Sequence, residues 1–430
     1  MKYLPIDSSL FIKNRKHFCP YIKKNCIAIF NSNDIAPTNA DGTMPFRQNS
    51  DLFWLSGVDQ EESVLVLFPD CKNKEFKEFL LLKETNKLIA VWEGEKLTKE
   101  KAFDVSGIKS VFWNQKTDSL LKKLINQADE VFLNKNEHNR SSCLVETRDD
   151  RFWKWCEKVF PNKKINSSAP IMHKLRSIKS KIEIDLIKKA CDITEGGFRR
   201  ILPFVKPGIA EYEIEAEFIH EFTRKRSKGF AYEPIIASGS SACVLHYTQN
   251  SSFCKNGDVL LLDVGAEYAN YASDMTRSIP VNGRFSKRQK DVYNAVLRVM
   301  RQAIKLLVPG TLLSDYHKKV GLLMEKELVD LGLLNIKEIN RQNKENPAYK
   351  KYFMHGASHF LGLDVHDVGL WNKPIKKGMV FTCEPGIYIP KEKLGVRLEN
   401  DVLITNGTPV DLMKNIPIEA EEIECLMNPL

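Results

Sequence analysis

The chain has 430 residues, 43% hydrophobic and 28% charged, with a formal net charge of +9. That length is too great for one ordinary core and suits two domains of soluble, globular composition, and no apolar run approaches the roughly 20 residues that span a membrane, so membrane insertion is excluded. The basic residues are dispersed among acids, as in KNKEFKEFLLLKETNK, and describe a solvated Lys-rich surface, with no nucleic-acid partner.

In chain order, the opening stretch MKYLPIDSSLFIKNRKHFC is charged but has no apolar core or small-residue cleavage site, so no secretory signal is read. Apolar runs at Cys26–Asn31, Ser63–Phe68, Phe79–Leu82 and Glu130–Leu133 predict buried strands. Thr117–Gln127, between them, has helical spacing. Strands alternating with helices predict a mixed α/β domain over residues 1–170. Its last stretch, 161–170 (PNKKINSSAP), is polar and closed by prolines, and predicts a linker. The second domain, 171–430, opens a helix with Ser180 and Glu183 in a capping-box pattern. Leu186, Ile187, Ala190 and Ile193 continue it at helical spacing, and Pro203 stops it. Ser286 with Gln289 opens another, whose stripe of Val292, Val296, Val299, Ala303 and Leu307 ends at Pro309–Gly310; a third is predicted from about Ser314 to Leu331. The ten cysteines, Cys19, Cys26, Cys71, Cys143, Cys243 and Cys383 among them, form no CxxC pair. Reduced thiols in a cytoplasmic protein fit better than a disulfide framework or a zinc knuckle.

Within the second domain two segments repeat each other. Lys255–Gly265 reads KNGDVLLLDVG and Lys376–Gly386 reads KKGMVFTCEPG. In each, an acid (Asp263, Glu384) stands six residues after the first Gly, and another (Asp274, Glu399) follows on the expected return strand. Such a repeat implies a pseudo-symmetric α+β domain built by internal duplication. Asp263 lies opposite Asp274 if the chain turns between Glu267 and Asn270, and Glu384 opposite Glu399 around Pro390–Lys393, with Cβ atoms about 5 Å apart. Like charges at that distance repel, and a carboxylate in an apolar strand is costly to bury. A pair of divalent ions removes both penalties. An ordinary polar hairpin explains either pair alone, but the shared register of the two segments argues against it.

The segment Met354–Gly369, MHGASHFLGLDVHDVG, gathers His355, His359 and His366. It is not HExxH, so a zincin is excluded, and Gly356 and Gly362 argue against one continuous helix. The order Asp, Asp, HGxxH, EPG, Glu is similar to that of the pita-bread metallopeptidases, a group that includes methionine aminopeptidase, prolidase and aminopeptidase P. MHGASHFLGLDVHDVG and the N-terminal PFRQNSDLFWLSG resemble the Xaa-Pro aminopeptidases in particular.

The resemblance implies an α+β chain: an N-terminal creatinase-like domain that narrows access, then a pseudo-twofold pita-bread catalytic domain. It implies Asp263, Asp274, His359, Glu384 and Glu399 as ligands of two divalent ions. Asp274 and Glu399 would bridge them, Asp263 would bind one, and His359 and Glu384 the other. This oxygen-rich set favours manganese over zinc, with cobalt or iron as further occupants. A water bridging two such ions loses its proton near neutral pH and attacks the polarised carbonyl. Glu384 is the expected general acid/base, His366 the donor to the substrate carbonyl, and His246 a histidine flanking the substrate, unless it is a core histidine beside Tyr247. His355, Tyr388 and Arg397 resemble a pocket for the proline ring; Arg397 equally suits a role as buffer to the carboxylates. Trp92 resembles a tryptophan that relatives place near a neighbouring subunit's active site, which would make a homodimer or homotetramer; a half-buried aromatic on a strand edge is the alternative. Asn400, after Glu399, stands where many relatives carry Asp and removes no ligand.

The expected substrates are peptides with proline second. An Xaa–Pro amide has no N–H to grip and a constrained φ, so a ring pocket is reasonable. The alternatives are a prolidase acting on Xaa-Pro dipeptides, which Ser358 and RQNSD disfavour, and a non-catalytic peptide-binding relative, which would have lost acids that this chain keeps. Methionine aminopeptidase needs neither this N-terminal domain nor the HGASHFLGLDVHD segment.

Overall fold

The apolar runs of the N-terminal region assemble into one mixed sheet. In the computed structural model, which describes residues 2–343 and 345–428, its strands are β1 (Ile27–Asn31), β2 (Val64–Leu67), β3 (Glu78–Leu82), β4 (Ser110–Trp113), β5 (Glu130–Leu133) and β6 (Lys164–Ser167). They lie in the order β4-β3-β2-β1-β5-β6. The β1–β2 and β2–β3 pairs are antiparallel, and the other three pairs are parallel. Alternate residues of the strands (Ile27 and Ile29, Val64 and Val66, Phe79 and Leu81, Val131 and Leu133) pack with Leu121, Leu124, Ile125 and Cys156 in one core. β1 and β2 are buried along their whole length. This is why they read as continuous rather than alternating apolar runs.

Two expectations for this unit are corrected. Residues 161–170 are not a linker: Lys164–Ser167 is the edge strand β6, paired with β5, and Ala169–Arg176 is a helix. An edge strand is partly exposed and so carries polar side chains, which resemble loop composition. Trp92 is not on a strand edge but near the end of the short helix Lys87–Glu93, and is 84% exposed. The chain divides into compact units between Arg176 and Ser177.

From Ser177 on, each half of the second unit is a pair of helices followed by a hairpin. The first helix, Lys181–Ile201, is capped reciprocally by Ser180 and Glu183, and Lys287–Leu306 by Ser286 and Gln289. The third expected helix spans Leu313–Asp330. A fourth, Glu211–Arg224, which sequence reasoning missed, begins after Ala210 rather than a polar cap, and Glu213 takes the Ala210 N–H at 2.7 Å. The strands of the first half are β7 (Ile235–Ser238), β8 (Val259–Val264), β9 (Glu267–Tyr268), β10 (Tyr271–Ala272) and β11 (Met275–Pro280). Those of the second are β12 (Val380–Cys383), β13 (Gly386–Ile389), β14 (Leu394–Arg397), β15 (Asn400–Leu403) and β16 (Val410–Asp411). The main sheets run β11-β8-β7 and β12-β15-β16, with β9–β10 and β13–β14 as two-stranded ribbons.

The repeated sequences have repeated backbones. Each opens with the same turn, closed by Asp258 N–H to Lys255 O at 3.1 Å and by Met379 N–H to Lys376 O at 3.2 Å. Gly257 and Gly378 sit in these turns at φ +87° and +85°, a region that penalises any side chain. Gly257→Ala should therefore destabilise the protein by about 1–2 kcal/mol. Gly378→Ala should cost more, because its added Cβ also meets Ile178 Cγ2 at 3.1 Å. Denaturant-unfolding midpoints check both, and a wild-type midpoint for Gly257→Ala would contradict the turn assignment.

Candidate metal centre

Strand register decides which acids meet. In the second hairpin Cys383 pairs with Asn400 and Gly386 with Arg397. The same register sets Glu384 opposite Glu399, as expected. In the first hairpin Asp263 pairs with Thr276, not Asp274. The cause is the turn, which sits on Ala269–Asn270, both at positive φ (53° and 66°), the geometry of a two-residue hairpin loop. Asp274 is thus diagonal to Asp263. A shift of two preserves the alternation, so both still face the same side.

His359 reaches these acids because its segment runs antiparallel beside β12. Thr382 N–H donates to His359 O at 3.0 Å, Leu361 N–H to Val380 O at 3.1 Å and Glu384 N–H to Ala357 O at 3.1 Å. His359 Nε2 stands 3.3 Å from Asp274 Oδ2 and 3.7 Å from Glu384 Oε1. Its Nδ1 lies 2.9 Å from Phe360 O; a carbonyl only accepts, so Nδ1 carries the hydrogen and Nε2 faces the acids. Ligand atoms of Asp274, His359 and Glu399, all buried, lie within 4.8 Å of one another.

The surroundings stabilise a dense negative charge. Arg397 reaches Asp263 Oδ2 at 2.5 Å, Thr276 Oγ1 at 3.1 Å and the Tyr388 hydroxyl at 2.7 Å. Thr276 donates to Glu399 Oε2 at 2.6 Å. The Tyr232 hydroxyl lies 2.7 Å from Asp263 Oδ1 and 2.6 Å from Asp274 Oδ1. One hydroxyl proton serves one of these oxygens at a time, so the two carboxylates compete for it. Burial pushes Asp263 above the usual carboxylate range against the pull of Arg397. Burial, then the charges of Asp274, Glu384 and Asp263, raises Glu399 further. Burial lifts Glu384 to about 7 against the pull of His359. Burial opposes a charge on His359, but its hydrogen bond to Asp274 and the charges of Glu384 and Asp274 prevail and raise it to about 9.

The remaining expected residues border this cluster. The ring of His366 lies edge-on to that of His359, centroids 4.5 Å apart. His355 donates from Nδ1 to Gly356 O at 2.7 Å and accepts from the Tyr388 hydroxyl at Nε2, at 2.8 Å. Burial, with the charges of Arg397 and His246 behind it, lowers His355 to about 3 and keeps it neutral. His246 is exposed, which removes the core-histidine alternative. Arg397 touches both Asp263 and Tyr388, so its two alternatives describe one position. Sequence reasoning missed Tyr232, Thr276 and Thr382, whose Oγ1 accepts from His359 N–H at 3.1 Å. Thr276 and Thr382 each stand two residues from an acid in an apolar strand, which places them on the acid's face; Tyr232 leaves no such signal.

The donor set fits divalent cations. Four carboxylates face one guanidinium, and the imidazole presents Nε2 to them, so positive charge is what the cluster lacks.

Comparison with known proteins agrees. Residues 185–406 match the model of metallopeptidase family M24 and residues 11–132 that of the aminopeptidase P N-terminal domain. The chain is 33% identical to the Xaa-Pro aminopeptidase of Escherichia coli over 412 residues, 90% of each chain. It is 31% identical to human Xaa-Pro aminopeptidase 3 over 408 residues, 91% of this chain and 78% of the relative. Among solved structures, zinc-substituted E. coli aminopeptidase P with product superposes at TM-score 0.89 and 30% identity over 99% of both chains. An aminopeptidase of Pseudomonas aeruginosa does so at 0.89 and 31%, again over 99% of both. With its catalytic-half match spanning more than half of the sequence and its relatives aligned along nine-tenths of it, the chain belongs to metallopeptidase family M24, among the Xaa-Pro aminopeptidases.

Proposed function

We propose that this metalloexopeptidase removes the N-terminal residue from peptides whose second residue is proline, with two divalent ions held by Asp263, Asp274, His359, Glu384 and Glu399. The observation that carries the reading is the meeting of Asp274, His359 and Glu399 within 4.8 Å in a buried site. Asp274 and Glu399 would be the shared ligands, with Asp263 on one side of the site and His359 and Glu384 on the other. Bound ions would polarise the scissile carbonyl and activate a water near neutral pH. Glu384, already raised to about 7 by burial, is suited to take a proton and pass it to the leaving nitrogen. His366, beside His359, donates to the substrate carbonyl as negative charge develops there. His355 and Tyr388, locked together and to Arg397, form one wall for the proline ring, and His246 flanks the peptide.

The oxygen-rich donors favour manganese, with cobalt, iron or zinc as weaker candidates. The ten cysteines are all free thiols, which suits a cytoplasmic location. We assign the N-terminal creatinase-like domain, residues 1–170 of the sequence, to restricting access to free peptide N-termini. Exposed Trp92 suits a contact with a second subunit in a homodimer or homotetramer.

Substrate length tests the reading most directly. An Xaa-Pro-Pro tripeptide should be cleaved well and an Xaa-Pro dipeptide poorly; activity confined to the dipeptide would make the protein a prolidase. Asp274→Ala and Glu399→Ala should each abolish turnover with manganese supplied, and full activity in either would refute the shared-ligand roles. Metal removal should also couple to pH. Glu384 holds its proton up to about 7 in the fold, above the ordinary carboxylate value, so the stability it lends is present at low pH and lost as pH rises through 7. Asp263 and Glu399 are shifted in the same direction. His359, held protonated to about 9 against an ordinary 6.5, acts in the same direction, since the stability it lends is present below 6.5 and is lost as pH rises through 9. Chelator-stripped protein should therefore melt closest to the metal-loaded protein near pH 5 and furthest below it near pH 8; a gap independent of pH would count against a metal-neutralised cluster.

A further inference from the structure

Away from the acids, one ion pair is sealed completely. Lys179 Nζ contacts Asp367 Oδ2 at 2.9 Å, and both side chains are 1% exposed. Replacing such a pair by apolar groups often leaves stability unchanged or raises it. Net stability is therefore a weak reason for its presence, and direction is the better one. Asp367 follows His366 in sequence, and its N–H donates to Phe360 O at 2.9 Å. That carbonyl also takes the Nδ1–H of His359. The loop between residues 362 and 369 is thus pinned at one carbonyl shared with the His359 ring, and the ion pair is its second anchor. Lys179 is fixed in turn: its N–H donates at 2.8 Å to Gly378 O, in the turn that launches β12. Gly362 has no room for a side chain, since a Cβ would lie 2.1 Å from Asp367 Oδ2 and 2.9 Å from Lys179 Cε. The loop is wrapped directly on the pair.

We propose that Lys179, paired with Asp367, is a positioning residue for the reaction: it holds the loop so that His366 stays against His359, without touching substrate itself. This rests on the reading of His366 as donor to the substrate carbonyl. An imidazole displaced by about 1 Å forfeits up to 100-fold in rate.

The test uses metal-loaded, full-length protein. Lys179→Met combined with Asp367→Asn removes both charges while nearly keeping their shape. The expected result is a folded protein by circular dichroism, wild-type metal content, and kcat on an Xaa-Pro-Pro tripeptide lowered about 10- to 100-fold. KM should stay within about twofold, and the His366 ring resonance should shift or broaden in histidine-labelled NMR spectra. Adding His366→Ala to the pair should then cost little beyond His366→Ala alone. If His366→Ala alone leaves kcat unchanged, the donor reading falls and takes the proposal with it. If His366→Ala lowers kcat but the two losses multiply, His366 keeps its role and the positioning proposal is overturned. Lost metal content would overturn it too, by moving the effect to His359. Gly362→Ala, which drives a Cβ into Asp367, is the second variant should the charge-free pair not fold; it should show the same kcat loss and the same non-additivity, and a multiplying loss would overturn the proposal equally.

Discussion

Four carboxylates around one point, Asp274 and Glu399 buried and Asp263 and Glu384 half-buried, are the constraint that the catalytic half is built to satisfy. Left to themselves, Asp263, Asp274, Glu384 and Glu399 would repel one another in a medium that screens charge poorly. Three of the four are held above the usual carboxylate range, with burial as the first cause. Arg397 supplies one fixed positive charge. In a family of metallopeptidases, divalent cations supply further positive charge.

That constraint shapes the scaffold as well as the site. The two hairpins must be joined rigidly, because a cluster of acids drawn from both tolerates little error in position. A bridge between Thr276 and Glu399 makes the junction. Arg277 completes it: wholly buried, it donates to the carbonyls of Thr276, Glu399 and Pro417 and to Asn400 Oδ1. Asn400 thus accepts from Arg277 and donates to Asp411 at 2.7 Å. Its side-chain carbonyl gives the guanidinium a neutral acceptor. Behind Asp274, the buried Asp401 accepts its backbone N–H at 3.1 Å. Backbone and side chains of the first hairpin are therefore both held by residues of the second.

Much of this was legible beforehand, for reasons that are local. KNGDVLLLDVG and KKGMVFTCEPG show their common turn because a glycine at positive φ leaves a mark at a fixed offset from the acid. Ser180 with Glu183 and Ser286 with Gln289 mark helix starts because a capping box is a contact between near neighbours. What failed depended either on a partner distant in sequence or on a turn that no glycine marks. Polar 161–170 became β6 because β5 offered it an edge. The first hairpin slipped by two residues because two consecutive positive-φ residues, Ala269 and Asn270, set its turn, and neither is a glycine.

The sequence by itself determined the types of the clustered side chains, the duplication of the acid-bearing segments and their order, since each is a matter of residue identity and spacing within one strand or turn. Tertiary structure alone decided that Asp263 faces Thr276, that His359 lies alongside Thr382, that Tyr232 stands between two acids, and that Lys179 meets Asp367 across 188 residues. The physical reason is that such contacts are set by strand register and by the shape of a closed core, and many registers satisfy the same apolar pattern until packing selects one.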